Sequence, residues 1–350
     1  MKRILSYLFV ASLTTLLISC GNKNVALSGA GATFPAPYYN IVFKNFTTEV
    51  GTAVTYGAVG SGGGIRSLKD KTADFGATDV FLSDKELAEM KADIVHVPTA
   101  LGAVVLSYNL EGVTSLNLNA SVLSDIYRGV IKKWDDERIK AINPGINFPN
   151  QAITPVYRSD GSGTTYVFSD YMSKVDSLWL KDIGRGKALN FPAGIAAKGN
   201  PGVAGIVAET KGSLGYIGSE YASALRLPAA KMQNSSGNYV EANEASISAS
   251  ANVDMPDDTR LMITNSINES AYPISTFTWI IVYKEQAYND RTVEKAANLV
   301  DLLNYMTDPV GQDIAAKTHY APLSGVALEK TKAAIKSITY NGQQILQDNK

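Results

Sequence analysis

The chain has 350 residues, with 32 basic and 33 acidic side chains and a formal net charge of −1. That balance gives no basic face for nucleic acid and no acidic field for a cationic partner. One cysteine and two histidines, His96 and His319, exclude an internal disulfide and leave too few ligands for a His/Cys zinc site. The same shortage makes cysteine-protease or Ser-His-Asp chemistry hard to assemble.

The first elements serve export rather than the fold. Lys2 and Arg3 form a short basic start, and an apolar run extends from Leu8 to Ile18. At about 1.5 Å per helical residue the run is too short for a hydrocarbon core about 30 Å thick, and it suits a secretory signal peptide. Its end, Leu17-Ile18-Ser19-Cys20, is similar to the lipobox of bacterial lipoproteins. Residues 1–19 are therefore predicted to be a lipoprotein signal peptide, with Cys20 the acylated first residue of the mature chain and residues 20–24 a polar tether. An ordinary signal peptide with an incidental cysteine is the alternative. Acylation would attach the protein to a membrane through about 0.8 kcal/mol per buried CH₂.

The remaining length suits two domains. Apolar runs rich in β-branched and aromatic residues predict strands over 95–97, 103–108, 153–157 and 278–283. Between them, four faces recur at helix spacing: Tyr38, Ile41, Val42 and Phe46; Val122, Leu123, Ile126 and Tyr127; Val167, Phe168, Tyr171, Met172 and Val175; and Val293, Ala296, Ala297, Val300 and Leu303. Pro37 suits the first turn of the first of these helices. Residues 233–258, rich in Ser, Asn and Ala, read as a surface excursion or a polar helix. Strands alternating with helices predict an α/β fold with open sheets, in which ligands bind where strands turn into helices.

Three glycine- and hydroxyl-rich turns precede helical patterns. They are Gly29-Ala30-Gly31-Ala32-Thr33-Phe34-Pro35-Ala36-Pro37, Gly60-Ser61-Gly62-Gly63-Gly64 and Arg158-Ser159-Asp160-Gly161-Ser162-Gly163-Thr164-Thr165. Backbone N–H groups at a helix N-terminus, hydroxyls and a guanidinium all suit an oxyanion. Each turn is also readable as ordinary punctuation with a Ser or Thr cap. No Gly-x-x-x-x-Gly-Lys-Ser/Thr loop occurs, and neither Ser61 nor Ser162 lies in a Gly-x-Ser-x-Gly elbow.

Taken with Asp74-Phe75-Gly76-Ala77-Thr78-Asp79, Ile131-Lys132-Lys133-Trp134-Asp135-Asp136 and Lys198-Gly199-Asn200, these blocks resemble the phosphate-binding proteins of bacterial Pst-type ABC importers over essentially the whole mature chain. The resemblance implies phosphate contacts at Thr33, Phe34 (through its backbone amide), Ser61, Asp79, Arg158, Ser162, Gly163 and Thr164, with Asp160 supporting Arg158. It implies no catalysis, no cofactor and no metal. It implies a two-lobed periplasmic-binding-protein clamshell, each lobe an open mixed sheet flanked by helices, with two crossing strands as hinge. Lobe I would comprise residues 25–107 plus 274–350, and lobe II residues 108–273. The implied partners are inorganic phosphate, the permease and ATPase of an ABC importer, and a membrane reached through the N-terminal lipid. The receptor would be a monomer facing the periplasm or the cell exterior. One departure is Gly62, where the family often carries a second Ser or Thr.

The residue types fit that ligand. Arg158, hydroxyls and amides donate to unprotonated oxygens, while an ionised Asp79 accepts the P–OH proton that sulfate lacks. Asp79 also reads as a turn or cap residue, because Leu82-Ser83-Asp84-Lys85-Glu86 begins a helix nearby. His96, between Val95 and Val97, reads as structural, and Trp134 as packing or importer-facing surface. A phosphatase using Ser61 or Ser162 and a sensor or adhesion module are the rival functions; molybdate, tungstate and arsenate are the rival ligands.

Overall fold

The structure, a computed structural model, describes residues 25–345. In chain order its strands are β1 (Leu27–Gly31), β2 (Val54–Ala58), β3 (Phe75–Thr78), β4 (Ile94–Tyr108), β5 (Asn117–Leu118), β6 (Thr154–Arg158), β7 (Ile195–Ala197), β8 (Ser213–Gly218), β9 (Lys231–Gln233), β10 (Tyr239–Val240), β11 (Ser275–Tyr283), β12 (Thr339–Tyr340) and β13 (Gln343–Gln344). The helices are α1 (Ala36–Val50), α2 (Ser61–Lys69), α3 (Asp84–Met90), α4 (Ala120–Tyr127), α5 (Glu137–Ala141), α6 (Gly163–Val175), α7 (Ser177–Asp182), α8 (Gly199–Glu209), α9 (Ser219–Ala224), α10 (Glu244–Ser250), α11 (Val293–Thr307), α12 (Pro309–Lys317) and α13 (Gly325–Lys336). The predicted signal peptide, Cys20 and the tether lie outside the described residues.

Eight strands join in the order β2-β1-β3-β11-β4-β8-β6-β7. The pairs β1–β2, β1–β3, β6–β7 and β6–β8 are parallel, while β11–β3, β11–β4 and β4–β8 are antiparallel. This is the mixed α/β sheet expected. Its centre is β4, whose first two-thirds pair with β11 and whose last five residues, Val104 to Tyr108, pair with β8. One buried strand thus belongs to two groups of strands, and β11 begins beside the point where its allegiance changes.

Two short strands were expected where β4 runs unbroken. Pro98 has no N–H for the ladder, and the register with β11 shifts there: Trp279 pairs with Pro98, but Thr278 pairs with Ala100. This bulge absorbs the proline without ending the strand.

All four predicted helices form, with faces slightly rotated from expectation. Helix α1 opens with proline in its first turn and ends at Gly51, whose φ of 86° suits glycine. It buries Tyr38, Tyr39, Val42, Phe43 and Phe46, while Ile41 is 45% exposed. Val175 and Val293 likewise face outward at helix ends, at 37% and 58% exposure. The polar stretch over 233–258 starts at the last residue of β9 and contains β10, which pairs back with β9, and helix α10, anchored by buried Ile247.

His96 is structural: its Nε2 accepts from Leu82 N at 3.0 Å, and burial pulls its pKa down to about 3. Trp134 is fully buried and donates to the Gly212 carbonyl at 3.0 Å, so it packs and offers no surface to an importer. Asp74, within one of the recognisable blocks, is a latch: it takes Arg291, Lys295 at 2.8 Å and the Ser28 amide at 2.7 Å.

Candidate functional site

Four turns converge where strands end. β1 ends at Gly31 and delivers Thr33 and Phe34; β2 leads through Gly60 to Ser61; β3 ends just before Asp79; β6 ends on Arg158 and leads to Ser162, Gly163 and Thr164 at the start of α6. Every one of these side chains is buried. The glycines at the turns serve close approach between the loops as well as any anion. Gly60 has φ of 87°, and a Cβ there would stand 2.3 Å from an Asp160 carboxylate oxygen. A Cβ on Gly163 would stand 2.5 Å from Ser61 Oγ and 2.6 Å from Asp79 Oδ2. The loops are joined directly by Gly62 N–H to the Gly161 carbonyl at 2.9 Å and Gly163 N–H to Ser61 Oγ at 3.1 Å.

The hydroxyls are arranged as donors. A hydroxyl has one proton and two acceptor lone pairs, so occupying its lone pairs aims its proton elsewhere. Thr33 Oγ1 accepts from both the backbone and the side-chain amide of Asn200, each at 3.0 Å. Thr164 Oγ1 accepts from Asn200 Nδ2 at 3.0 Å and from Arg158 at 3.3 Å. Ser61 accepts from Gly163, and Ser162 caps α6 by accepting from Thr165 N at 3.0 Å. Neither serine is paired with a histidine base among the described residues; both hydroxyl protons remain available to donate to a ligand.

Arg158 is held as a fork. Its Nε and one terminal nitrogen bond the two oxygens of Asp160 at 2.8 and 2.5 Å. Its remaining nitrogen points along Thr164. Burial raises the Asp160 pKa, but Arg158 and the Gly199 amide outweigh it and bring it below the usual value. Asp160 therefore stays ionised and fixes the guanidinium plane.

Asp79 is the only carboxylate among the nine site residues named from the sequence other than Asp160, and it is no helix cap: Ser83 caps α3. Thr278 donates to Asp79 Oδ1 at 3.1 Å, and Thr276 donates to the Asp79 carbonyl at 3.1 Å. Both come from β11, beside the bulge. The other oxygen, Oδ2, faces Gly163. Burial pushes the Asp79 pKa up to about 7; the Thr278 hydrogen bond and the Arg158 charge pull the other way without cancelling it.

The structure thus brings together all nine residues that sequence analysis named on the described chain. It adds supports that were missed. Asn200 links Thr33, Thr164 and the Gly218 amide, the last at 3.0 Å. Tyr221 and Tyr320 donate to the carbonyls of Thr33 and Phe34 at 2.5 and 2.6 Å. Tyr216 bonds the Arg158 amide and Thr165. Asn200, in the first turn of α8, belongs to the Lys198-Gly199-Asn200 block that resembles the family; the tyrosines carried no local signal.

A family model described as a PBP superfamily domain matches residues 20–310. Phosphate-binding protein PstS of Xylella fastidiosa is 38% identical over 306 residues, covering 86% of this chain and 82% of its own. PstS of Haemophilus influenzae is 33% identical over 334 residues, covering 94% and 97%. The chain belongs to the phosphate-binding protein family. Among solved structures, a high-affinity periplasmic phosphate-binding protein bound with phosphate superposes with a TM-score of 0.72 at 20% identity, covering 88% of this chain and 93% of that one. A phosphate-binding protein from Stenotrophomonas maltophilia gives 0.68 at 17% identity. At that identity the neighbours establish the fold: a curled mixed sheet with helices, as in periplasmic binding proteins. The family model and the sequence relatives place the chain in a substrate-binding transport family rather than a family of enzymes.

Proposed function

We propose that this chain binds inorganic phosphate outside the cytoplasm and delivers it to an ABC importer. The observation that carries the choice of ligand is Asp79, a buried acceptor facing a set of oriented donors. Thr33, Ser61, Ser162 and Thr164 offer hydroxyls, Arg158 its fork, and Phe34 and Gly163 belong to the loops whose backbone lines the same place. Such a set suits a tetrahedral oxyanion that still carries a proton. Phosphate meets Asp79 with P–OH; sulfate would meet it with a lone pair in a dry cleft.

The grouping of strands about β4 supports a clamshell division. Lobe I, residues 25–107 plus 274–350, holds β1, β2, β3 and β11; lobe II, residues 108–273, holds β6, β7 and β8. β4 and the entry to β11 are the crossings, and rotation about them opens the site between Ser61 and Gly163. Thr33, Phe34, Ser61 and Asp79 then belong to one lobe, and Arg158, Asp160, Ser162, Gly163 and Thr164 to the other. Acylation at Cys20 tethers a monomeric receptor to the membrane beside its permease and ATPase.

Calorimetry with phosphate, sulfate and arsenate tests the ligand. Phosphate is expected to bind, arsenate to compete and sulfate to give no heat; equal affinity for phosphate and sulfate would overturn the assignment. Membrane fractionation of Cys20→Ser tests the anchor, which requires that the variant lose its attachment.

A further inference from the structure

Outside the seam where the glycine loops meet lies a polar cavity of about 470 Å³. Arg66 and Ser67 of α2, with Thr72, line one wall; Asp160, Gly161 and Lys198 line the other. Gly161, whose carbonyl accepts from Gly62 N–H across the seam, lines this cavity, and Thr33, Ser61, Ser162 and Thr164 do not. Arg66 and Lys198 are exposed, and neither has an ion pair or side-chain hydrogen bond among the described residues. The acidic groups facing them are Asp70 and Asp160. Asp160 is already neutralised by Arg158. Asp70, one helical turn beyond Arg66, makes no ion pair with it. With Asp160 offset by Arg158, Arg66 and Lys198 outweigh Asp70 and leave the cavity a net charge of +1 on a chain whose total is −1.

One cation stands on each of the two segments that meet at the seam: Arg66 follows β2, and Lys198 precedes α8. Bringing two unpaired cations to one cavity is unfavourable by itself, and an anion between them reverses the sign. We propose that Arg66 and Lys198 form an outer anion site that captures inorganic phosphate at the cleft mouth before the loops close on it. Two exposed cations hold a dianion by charge, without the acceptor that Asp79 supplies further in. The outer site therefore gathers oxyanions without choosing among them, and its contribution is to the rate of encounter.

This inference rests on the phosphate reading above, and kinetics separate the two. Radiolabelled inorganic phosphate is mixed with the full chain and captured by rapid filtration; dissociation is followed after an unlabelled chase. The double variant Arg66→Gln/Lys198→Gln changes exposed residues outside the buried site. At low salt its association rate is expected to fall about three- to tenfold, at the modest end of electrostatic steering. Its dissociation rate should stay within about twofold, because charge at the mouth acts mainly on encounter. Raising salt should slow the wild type and scarcely affect the variant, since charges a Debye length of about 10 Å apart are screened near 0.1 M. An unchanged association rate, or a loss carried by faster dissociation, overturns the outer site while phosphate binding stands. Failure of the wild type to retain phosphate overturns the ligand assignment and this inference together.

Discussion

Replacing Asp79 with asparagine exchanges one acceptor for one donor with almost no change in shape. Which way the new amide points is set by β11. Thr278 donates to Oδ1 at 3.1 Å, so the amide oxygen is retained there and the NH₂ group takes the place of Oδ2, facing Gly163. Phosphate then loses a charge-assisted hydrogen bond, a class that contributes about 1.5–3 kcal/mol. At about 1.4 kcal/mol per factor of ten, affinity should fall about 10- to 150-fold. Sulfate moves in the opposite direction, because a donor replaces the carboxylate lone pair that opposed it. The ratio of the two affinities should therefore shrink by more than the phosphate loss alone. Calorimetry of both anions at pH 8 measures this, above the value of about 7 to which burial pushes Asp79, where the wild-type carboxylate is ionised. A variant with weaker phosphate binding and an unchanged phosphate-to-sulfate ratio would show that Asp79 does not discriminate, and the hydrogen-bond argument would be wrong.

Three further outcomes are expected. Gly163→Ala places a methyl group within 2.6 Å of Asp79 Oδ2 and closer still to Ser61 Oγ; overpacking of this kind costs about 1–3 kcal/mol, so phosphate affinity should fall about tenfold in calorimetry. Its melting temperature should stay nearly constant, because the clash falls on loop closure rather than on either core. Glu220 is fully buried with neither oxygen hydrogen-bonded among the described residues: neighbouring Tyr320 gives its one proton to Phe34. Burial pushes its pKa up to about 8, so the fold holds a proton that the unfolded chain releases at neutral pH, and stability falls as pH rises toward about 8. Thermal melts at pH 6 and pH 9 should differ by roughly 3 kcal/mol more in the wild type than in Glu220→Gln, about 1.4 kcal/mol per pH unit over the two units between pH 6 and the folded value. Finally, lowering the pH from 8 to 6 protonates Asp79 and converts it to a donor. Sulfate competition in calorimetry should strengthen on acidification in the wild type and stay flat in Asp79→Asn.

The turns of the site were legible in the sequence because their chemistry is local. Glycine where chains touch, serine at the cap of α6 and proline in the first turn of α1 each solve a problem within a few residues. The choice of phosphate and the lobes came instead from family resemblance. What stayed hidden is what spans the chain. Asn200 joins residues 167 and 36 positions away, and Tyr320 reaches across 286 positions to Phe34. No short pattern encodes such a partner. β4 was missed as one strand because Pro98 interrupts the apolar run, and only its pairing with β11 shows the interruption to be a bulge. Ile41, Val175 and Val293 were assigned to buried faces because they are apolar at roughly the right spacing. Val175 and Val293 stand at helix ends, which project beyond their neighbours, whereas Ile41 lies within α1 but outside its buried stripe.

In the proposed mechanism the state of Asp79 ties selectivity to closure. In the joined arrangement of loops, burial opposes its charge, and Thr278 and Arg158 offset only part of that opposition. Opening the cleft would return water to the carboxylate and with it an ordinary acidic pKa. Between that ordinary value and about 7 the closed form binds the extra proton, so acid favours closure. At higher pH the closed cleft needs a proton between Asp79 and its ligand, and phosphate brings one. Sulfate does not, so closure around it leaves a buried charge facing a lone pair. Discrimination is then exercised as the loops meet and not at first encounter. On the proposed reading, a pair of exposed cations at the mouth can admit every oxyanion without weakening the choice made inside: the outer site would set how often an anion arrives, and the hydration of one carboxylate which arrivals allow the cleft to shut.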